Sequence, residues 1–175
     1  MQTLGSYLRP TPSSPAAGLL VYLAMVMLIL GARMHTGLGW MPTLEPAFFL
    51  VPVFFIAIRR EGMATPIAIL AFGLLHDVLS EMPIGFWGVL MTGFFVIARG
   101  QTRFLIGAPL GPVWFTFAAM TMMTHVAAYI IALIHSGVHG DFGAVMASGI
   151  LTALLFPPLF VFLEWLTGDT DMRKE

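Results

Sequence analysis

From Phe142 to Leu166 the chain carries a single charge, Glu164, in a stretch otherwise dominated by Phe, Leu, Val, Ala and other small or apolar residues. A helix needs about 20 such residues to cross a bilayer, so this run alone points to lipid as the surrounding solvent. Five further apolar runs precede it. With 58% hydrophobic and 10% charged residues and a mean hydropathy of +0.91, too little polar surface exists to coat a globule in water. Six spanning helices would use roughly 120 residues, which leaves only connections and tails from a chain of 175 residues. The sequence therefore predicts an all-α polytopic membrane protein with six transmembrane helices and no second domain.

The runs can be placed in order. Met1 to Pro15, rich in Pro and Ser, reads as a flexible tail (1–15), followed by a six-helix bundle (16–168) and a charged tail (169–175). Ala16 to Ala32 forms the first run. Leu30 stands where a signal-peptidase site needs a small residue, so this run reads as an uncleaved span. The second run, Leu38 to Ile58, contains Glu45, Pro42, Pro46 and Pro52, and regular helix is predicted to begin near Pro46. The third extends from Gly62 to about Ser80. Met82 to Gly85 then forms a link so short that it must close a helical hairpin with the fourth run, Phe86 to Ala98. Gly100 to Pro109 reads as a polar turn, Pro112 opens a fifth helix to about Ile134, and His135 to Asp141 forms a loop. In the sixth run, Phe142 to Leu166, Pro157 and Pro158 cannot donate to Ala153 and Leu154, which predicts a kink.

Cations set the orientation. With the amino terminus in the cytoplasm, the inner segments hold Arg9, Arg59, Arg60, Arg99, Arg103, Arg173 and Lys174, seven of the eight Lys and Arg; only Arg33 falls outside. The positive-inside rule then places both termini in the cytoplasm. Trp40 and Trp87 fall at the outer interface and Trp114 and Trp165 at the inner one, where an indole buries its ring and keeps its N–H wet. A net charge of −1 with scattered cations gives no basic stripe for nucleic acid. With no cysteine there is no disulfide and no thiolate chemistry.

Polar residues inside the spans are the candidates for function, because a carboxylate in hydrocarbon costs about 2.5–3.5 kcal/mol on insertion scales. Asp77 lies about one turn inside the outer end of the third helix. It either meets water or a neighbouring helix for structural reasons, or serves a function. Thr121, His125 and Tyr129 recur every four residues on the fifth helix, with Thr124 beside them, and form one inward stripe. His76, Thr121, His125 and Tyr129 are thus candidate members of an intramembrane polar network, within geometric reach of Asp77. That stripe either bonds helices together or lines a pocket or proton path.

Other chemistries find little support. His76, His125, His135 and His139, with Glu45, Asp77, Glu81 and Asp141, map to the outer half of the bundle, but no HExxH-like spacing joins them. Neither a GxSxG elbow nor a phosphate-binding glycine loop is present, so no catalytic residue, metal or cofactor is expected. Gly107 and Gly111 form a GxxxG pair, and Gly143 with Ala147 and Ala144 with Ser148 form small-xxx-small pairs, all suited to close helix packing.

The segment Gly73-Leu-Leu-His-Asp77-Val-Leu-Ser-Glu-Met-Pro83-Ile-Gly85 resembles the signature of the MreD rod shape-determining family. There a glycine, an aspartate and a Pro-x-Gly turn end the third span and start the fourth. Short length, six spans, a proline-bearing second helix and the Arg59–Arg60 pair fit the same layout. His76, Glu81 and the Pro157–Pro158 pair lie outside that pattern.

The resemblance implies a non-catalytic multi-pass subunit of the bacterial cytoplasmic (inner) membrane, acting in cell elongation and peptidoglycan synthesis. Its implied partners are an MreC-like periplasmic protein, a RodA-type glycosyltransferase with its transpeptidase, MreB, and membrane lipid. Gly73, Asp77, Pro83 and Gly85 are the implied interaction or structural motif; glycine at 85 permits the turn and proline at 83 stiffens it. The family is similar in fold to the substrate-binding subunits of energy-coupling-factor transporters, so a vitamin-type small-molecule binding subunit is the alternative reading.

Overall fold

A computed structural model describes residues 47–59, 66–79, 83–105, 107–136 and 141–166. Among the described residues the chain is all-helical: α1 Leu50–Arg59, α2 Pro66–Leu79, α3 Phe86–Leu105, α4 Leu110–Ser136 and α5 Phe142–Leu166. The run Ala16 to Ala32 and both predicted tails lie outside the described residues, as do Glu45, Glu81, His139 and Trp40.

The prolines sit where helices tolerate them. Pro66 opens α2, and Pro52 and Pro112 fall in the first turns of α1 and α4, where an N–H has no intrahelical partner to lose. Helix α1 starts later than Pro46. Residues 47–49 first make a turn, with Leu50 N donating to the Ala47 carbonyl (2.9 Å) and Val51 N to that of Phe48 (3.1 Å). At ten residues α1 is about 15 Å long, half of what a bilayer requires. Its sequence, LVPVFFIAIR, is apolar on every side, and Leu50 to Ile58 are buried without exception. A helix with no polar face belongs in the interior.

Helix α3 continues seven residues beyond the predicted end at Ala98. The polar residues expected to form a turn there are helical because they have work at the end of α1. Arg99 Nη1 (3.3 Å) and Thr102 Oγ1 (3.4 Å) both donate to the Ala57 carbonyl, one of the last-turn acceptors that α1 cannot satisfy itself. The turn falls instead around Gly107, whose φ of 77° suits glycine. Gly107 therefore precedes α4, and among the described residues a Cβ at Gly111 would meet nothing within 4 Å, so Gly111 is not a point of close helix approach there.

Phenylalanines fill the centre. Phe54 of α1 touches Phe94, Phe117 and Phe156 with ring centroids 6.2, 5.3 and 5.7 Å away, and Phe117 stacks on Phe156 at 4.3 Å. One ring cluster thus joins α1, α3, α4 and α5. Outward, α4 and α5 present Phe115, Met123, Ile134, Leu154 and Phe162. Both helices are long and apolar enough to cross a membrane, and only 33% of each apolar window is buried. Large exposed apolar faces of this kind are a liability in water and the normal surface in lipid.

Helix α5 stays helical through Pro157 and Pro158. The carbonyl of Ala153, which Pro157 cannot serve, accepts a 2.7 Å hydrogen bond from Trp114 Nε1 of α4. Trp114 was expected as an interfacial anchor alone; it also repairs the backbone of its neighbour. Trp114→Phe should lower stability by about 1 kcal/mol in detergent unfolding. In a Pro157→Ala background, where Ala153 regains an intrahelical donor, that loss should shrink, which a double-mutant cycle measures directly.

Candidate functional site: the α2–α3 hairpin

Asp77 occupies the last turn of α2 and is fully buried. A charge there is compensated by the start of the next helix. Its Oδ2 accepts from Gly85 N (2.9 Å) and Gly88 N (3.3 Å), and its Oδ1 accepts from Trp87 N (2.8 Å). The remaining first-turn donor, Phe86 N, goes to the Pro83 carbonyl at 3.0 Å, and Val89 N starts the α-helical ladder on Gly85 O at 2.9 Å. One carboxylate and one turn thus supply the amide partners that a helix start lacks. The negative charge also sits at the positive end of the α3 dipole, and hydrogen bonds to an ionised acceptor are the stronger kind.

Glycines make the geometry accessible. Gly85 adopts φ 97°, a region that L side chains rarely occupy, and it directs the turn so that its own amide faces Asp77. Gly73, one helical turn before Asp77 on the same face, lies against Gly88. A Cβ at Gly73 would come within 2.4 Å of Gly88 Cα and 2.7 Å of its N, both backbone atoms. The two helices cross there at backbone contact. Gly88 was not singled out from sequence, although its place three residues after Gly85, in the first turn of a helix joined by a short link, was the available signal.

His76 packs beside this clamp. Its ring lies 4.6 Å from Phe49 and 5.6 Å from Trp87, and Phe49 and Trp87 meet edge to face at 5.0 Å. These three rings connect the hairpin to the turn before α1. Pro83 is exposed and contributes its carbonyl.

The stripe on α4 belongs to a different seam. His125 Nδ1 donates to the Thr121 carbonyl at 2.8 Å, which leaves Nε2 facing Ser148 Oγ of α5 at 3.5 Å. Tyr129 stacks edge-on against Phe142 at 5.1 Å. Of the four residues predicted as a network, His76 thus packs on rings at the hairpin, His125 and Tyr129 meet α5, and the Thr121 carbonyl holds His125. Asp77 faces α3 amides, not His125. On α5 the close approach is at Gly149, where a Cβ would lie 2.9 Å from Met122 Sδ and 3.2 Å from His125 Cγ. Among the described residues, a Cβ at Gly143, the expected packing glycine, would meet only Asp141, which caps α5 by accepting from Gly143 N at 2.8 Å.

Sequence reasoning also missed Thr152. Its hydroxyl accepts from Ala47 N (3.0 Å) and donates to Ser148 O (2.8 Å), pinning the approach to α1 onto α5. No family model matches the chain, and no curated protein or solved structure matches it either.

Substitutions at this hairpin should separate its parts. Asp77→Asn keeps the shape but turns an NH2 group toward N–H donors, and should cost about 1.5–3 kcal/mol in thermal unfolding. Gly73→Ala should cost at least about 1–3 kcal/mol because backbone must move. Gly93→Ala, in the same helix but with open space around it, should be neutral or raise stability by up to about 1 kcal/mol.

Proposed function

We propose that this chain is a non-catalytic, multi-pass subunit of the bacterial inner membrane that works as a scaffold in cell elongation, in the manner of the MreD family it resembles. The observation that carries this reading is the closure of the Gly73–Gly88 segment. The residues on which the resemblance rests are spent on holding two helices together, and both carboxylate oxygens of Asp77 are occupied by backbone amides. A group used this way is poorly placed to transfer a proton or receive a solute. The ring cluster around Phe54 supports the same reading, since a carrier of vitamin-sized molecules needs a cavity of about 300–1,000 Å³.

In this reading the chain spans the membrane six times with both termini in the cytoplasm. Arg99 supports the sidedness. By reaching Ala57 O it brings the carboxyl ends of α1 and α3 together, so the last turn of α1 and the Arg99–Arg103 stretch lie at one end of the bundle, opposite the hairpin turn. The outer turn, with Ile84 79% exposed, then offers an MreC-like periplasmic protein a small apolar contact, while RodA-type synthase, its transpeptidase and MreB complete the assembly.

The absence of cysteine makes the topology directly testable. Ile84→Cys should react with a membrane-impermeant maleimide from outside, whereas Gly5→Cys and Met172→Cys should react only after permeabilisation. Labelling of either terminus from outside contradicts the orientation. For function, a photoreactive residue at Ile84 should crosslink to the MreC-like protein in native membranes, and depletion of the chain should round the cells. Solute uptake by vesicles containing the purified chain would overturn the scaffold reading.

A further inference from the structure

Helix α3 carries a second arginine that the bundle does not use. Arg99 is half-buried and donates to the Ala57 carbonyl, whereas Arg103, one turn further on, is exposed. Among the described residues its guanidinium meets one group, the Phe104 ring, with its central carbon 4.6 Å from the centroid. Helices α1 to α4 contain a single carboxylate, Asp77, and that one is held by amides at the opposite end of α3. An arginine keeps its proton in proteins, so Arg103 offers a permanent positive charge with no acid beside it on these four helices.

The surface leading to Arg103 is apolar. Positions 93, 96, 97, 100, 103 and 104 recur every three or four residues and so share one face of α3. The exposures agree: Val96, Ile97 and Phe104 are 53%, 54% and 66% exposed, and a Cβ at Gly93 or at Gly100 would meet nothing within 4 Å. From Gly93 to Arg103 the rise is about 15 Å, which matches one leaflet of a hydrocarbon core about 30 Å thick. The charge therefore stands at phosphate depth when the apolar part of the face stands at the depth of the chains. A guanidinium fork suits phosphate oxygens, and the ring against it restrains its position. A zwitterionic headgroup would bring an ammonium for which these helices supply no free carboxylate. An anionic one brings only the charge that Arg103 lacks.

We propose that this face of α3 binds one anionic phospholipid, with the phosphate on Arg103 and an acyl chain against Val96, Ile97 and the open space at Gly93 and Gly100. The site rests on the membrane reading proposed above, in which this end of α3 lies in the cytoplasmic leaflet, where cations next to a span meet anionic lipid.

The test uses the intact chain in detergent micelles with equal amounts of phosphatidylglycerol and phosphatidylcholine of matched chains, and counts retained lipid by native mass spectrometry. The wild type should keep phosphatidylglycerol over phosphatidylcholine by about fivefold, as one cation at an anionic surface gives. Arg103→Gln should bring that ratio close to one, while Lys174→Gln, which removes a cation from the carboxyl-terminal tail, should leave it unchanged. Gly100→Leu keeps the charge and fills the face, and should lower retention of both lipids. Equal retention of the two lipids by the wild type overturns the proposal, as does an unchanged ratio in Arg103→Gln, an equal fall in Lys174→Gln, or unchanged retention in Gly100→Leu. A disulfide-linked dimer of Ile97→Cys in phosphatidylglycerol vesicles would put a second copy of the chain on this face and overturn it too. Micelles have no sides, so these outcomes are independent of the orientation that cysteine labelling tests.

Discussion

The hydrogen bonds to the Asp77 carboxylate from the Gly85 turn amide and from two α3 amides, Trp87 and Gly88, govern how the hairpin is arranged. A buried carboxylate is expensive in a low-dielectric interior, and so is a helix start whose N–H groups find no acceptor. Each problem is the solution to the other. Because the carboxylate belongs to α2 and the amides to α3, the pairing fixes the hairpin angle, and Gly73 must then lie on Gly88 with no side chain between them. The Phe49, His76 and Trp87 rings close over that crossing and tie it to the turn that introduces α1.

Helix α1 shows how the same constraint propagates. Its ten residues have no face of their own for solvent, so its ends must be satisfied by others. Arg99 and Thr102 cap one end, and Thr152 holds the backbone just before the other. Backbone groups freed by prolines are treated likewise, as Trp114 does for Ala153. Polar side chains in this bundle act chiefly as partners for orphaned backbone atoms. In lipid such atoms would find no other partner.

Much of this was legible in the sequence. Phe142 to Leu166 was bounded correctly because its apolar run is capped by Asp141 and followed by polar residues, and the hairpin was forced by a link of four residues. The extension of α3 was not legible. Gly100 to Pro109 reads as a turn by polarity, and only the three-dimensional position of the Ala57 carbonyl accounts for its first half being helix. The late start of α1 was hidden for a similar reason, since a pre-proline rule locates a break but not the turn that follows it. For the site, Gly73, Asp77 and Gly85 were visible as a motif, while Gly88 and Thr152 were not. Their roles depend on which helix they face, and periodicity supplies a face without naming its neighbour.

A hairpin closed in this way presents a surface whose shape is set from inside, which is what the proposed scaffold role requires. The most direct test is amide hydrogen–deuterium exchange at Gly85, Trp87 and Gly88, read residue by residue in the wild type and in Asp77→Ala. If the carboxylate holds these amides, exchange at all three should be slow in the wild type and faster by at least about tenfold in the variant, corresponding to roughly 1.4 kcal/mol of lost protection. The Leu90 to Ala98 amides should change much less. Equal exchange at Trp87 and Gly88 in the two proteins would contradict the clamp, and with it the arrangement of the hairpin derived from it.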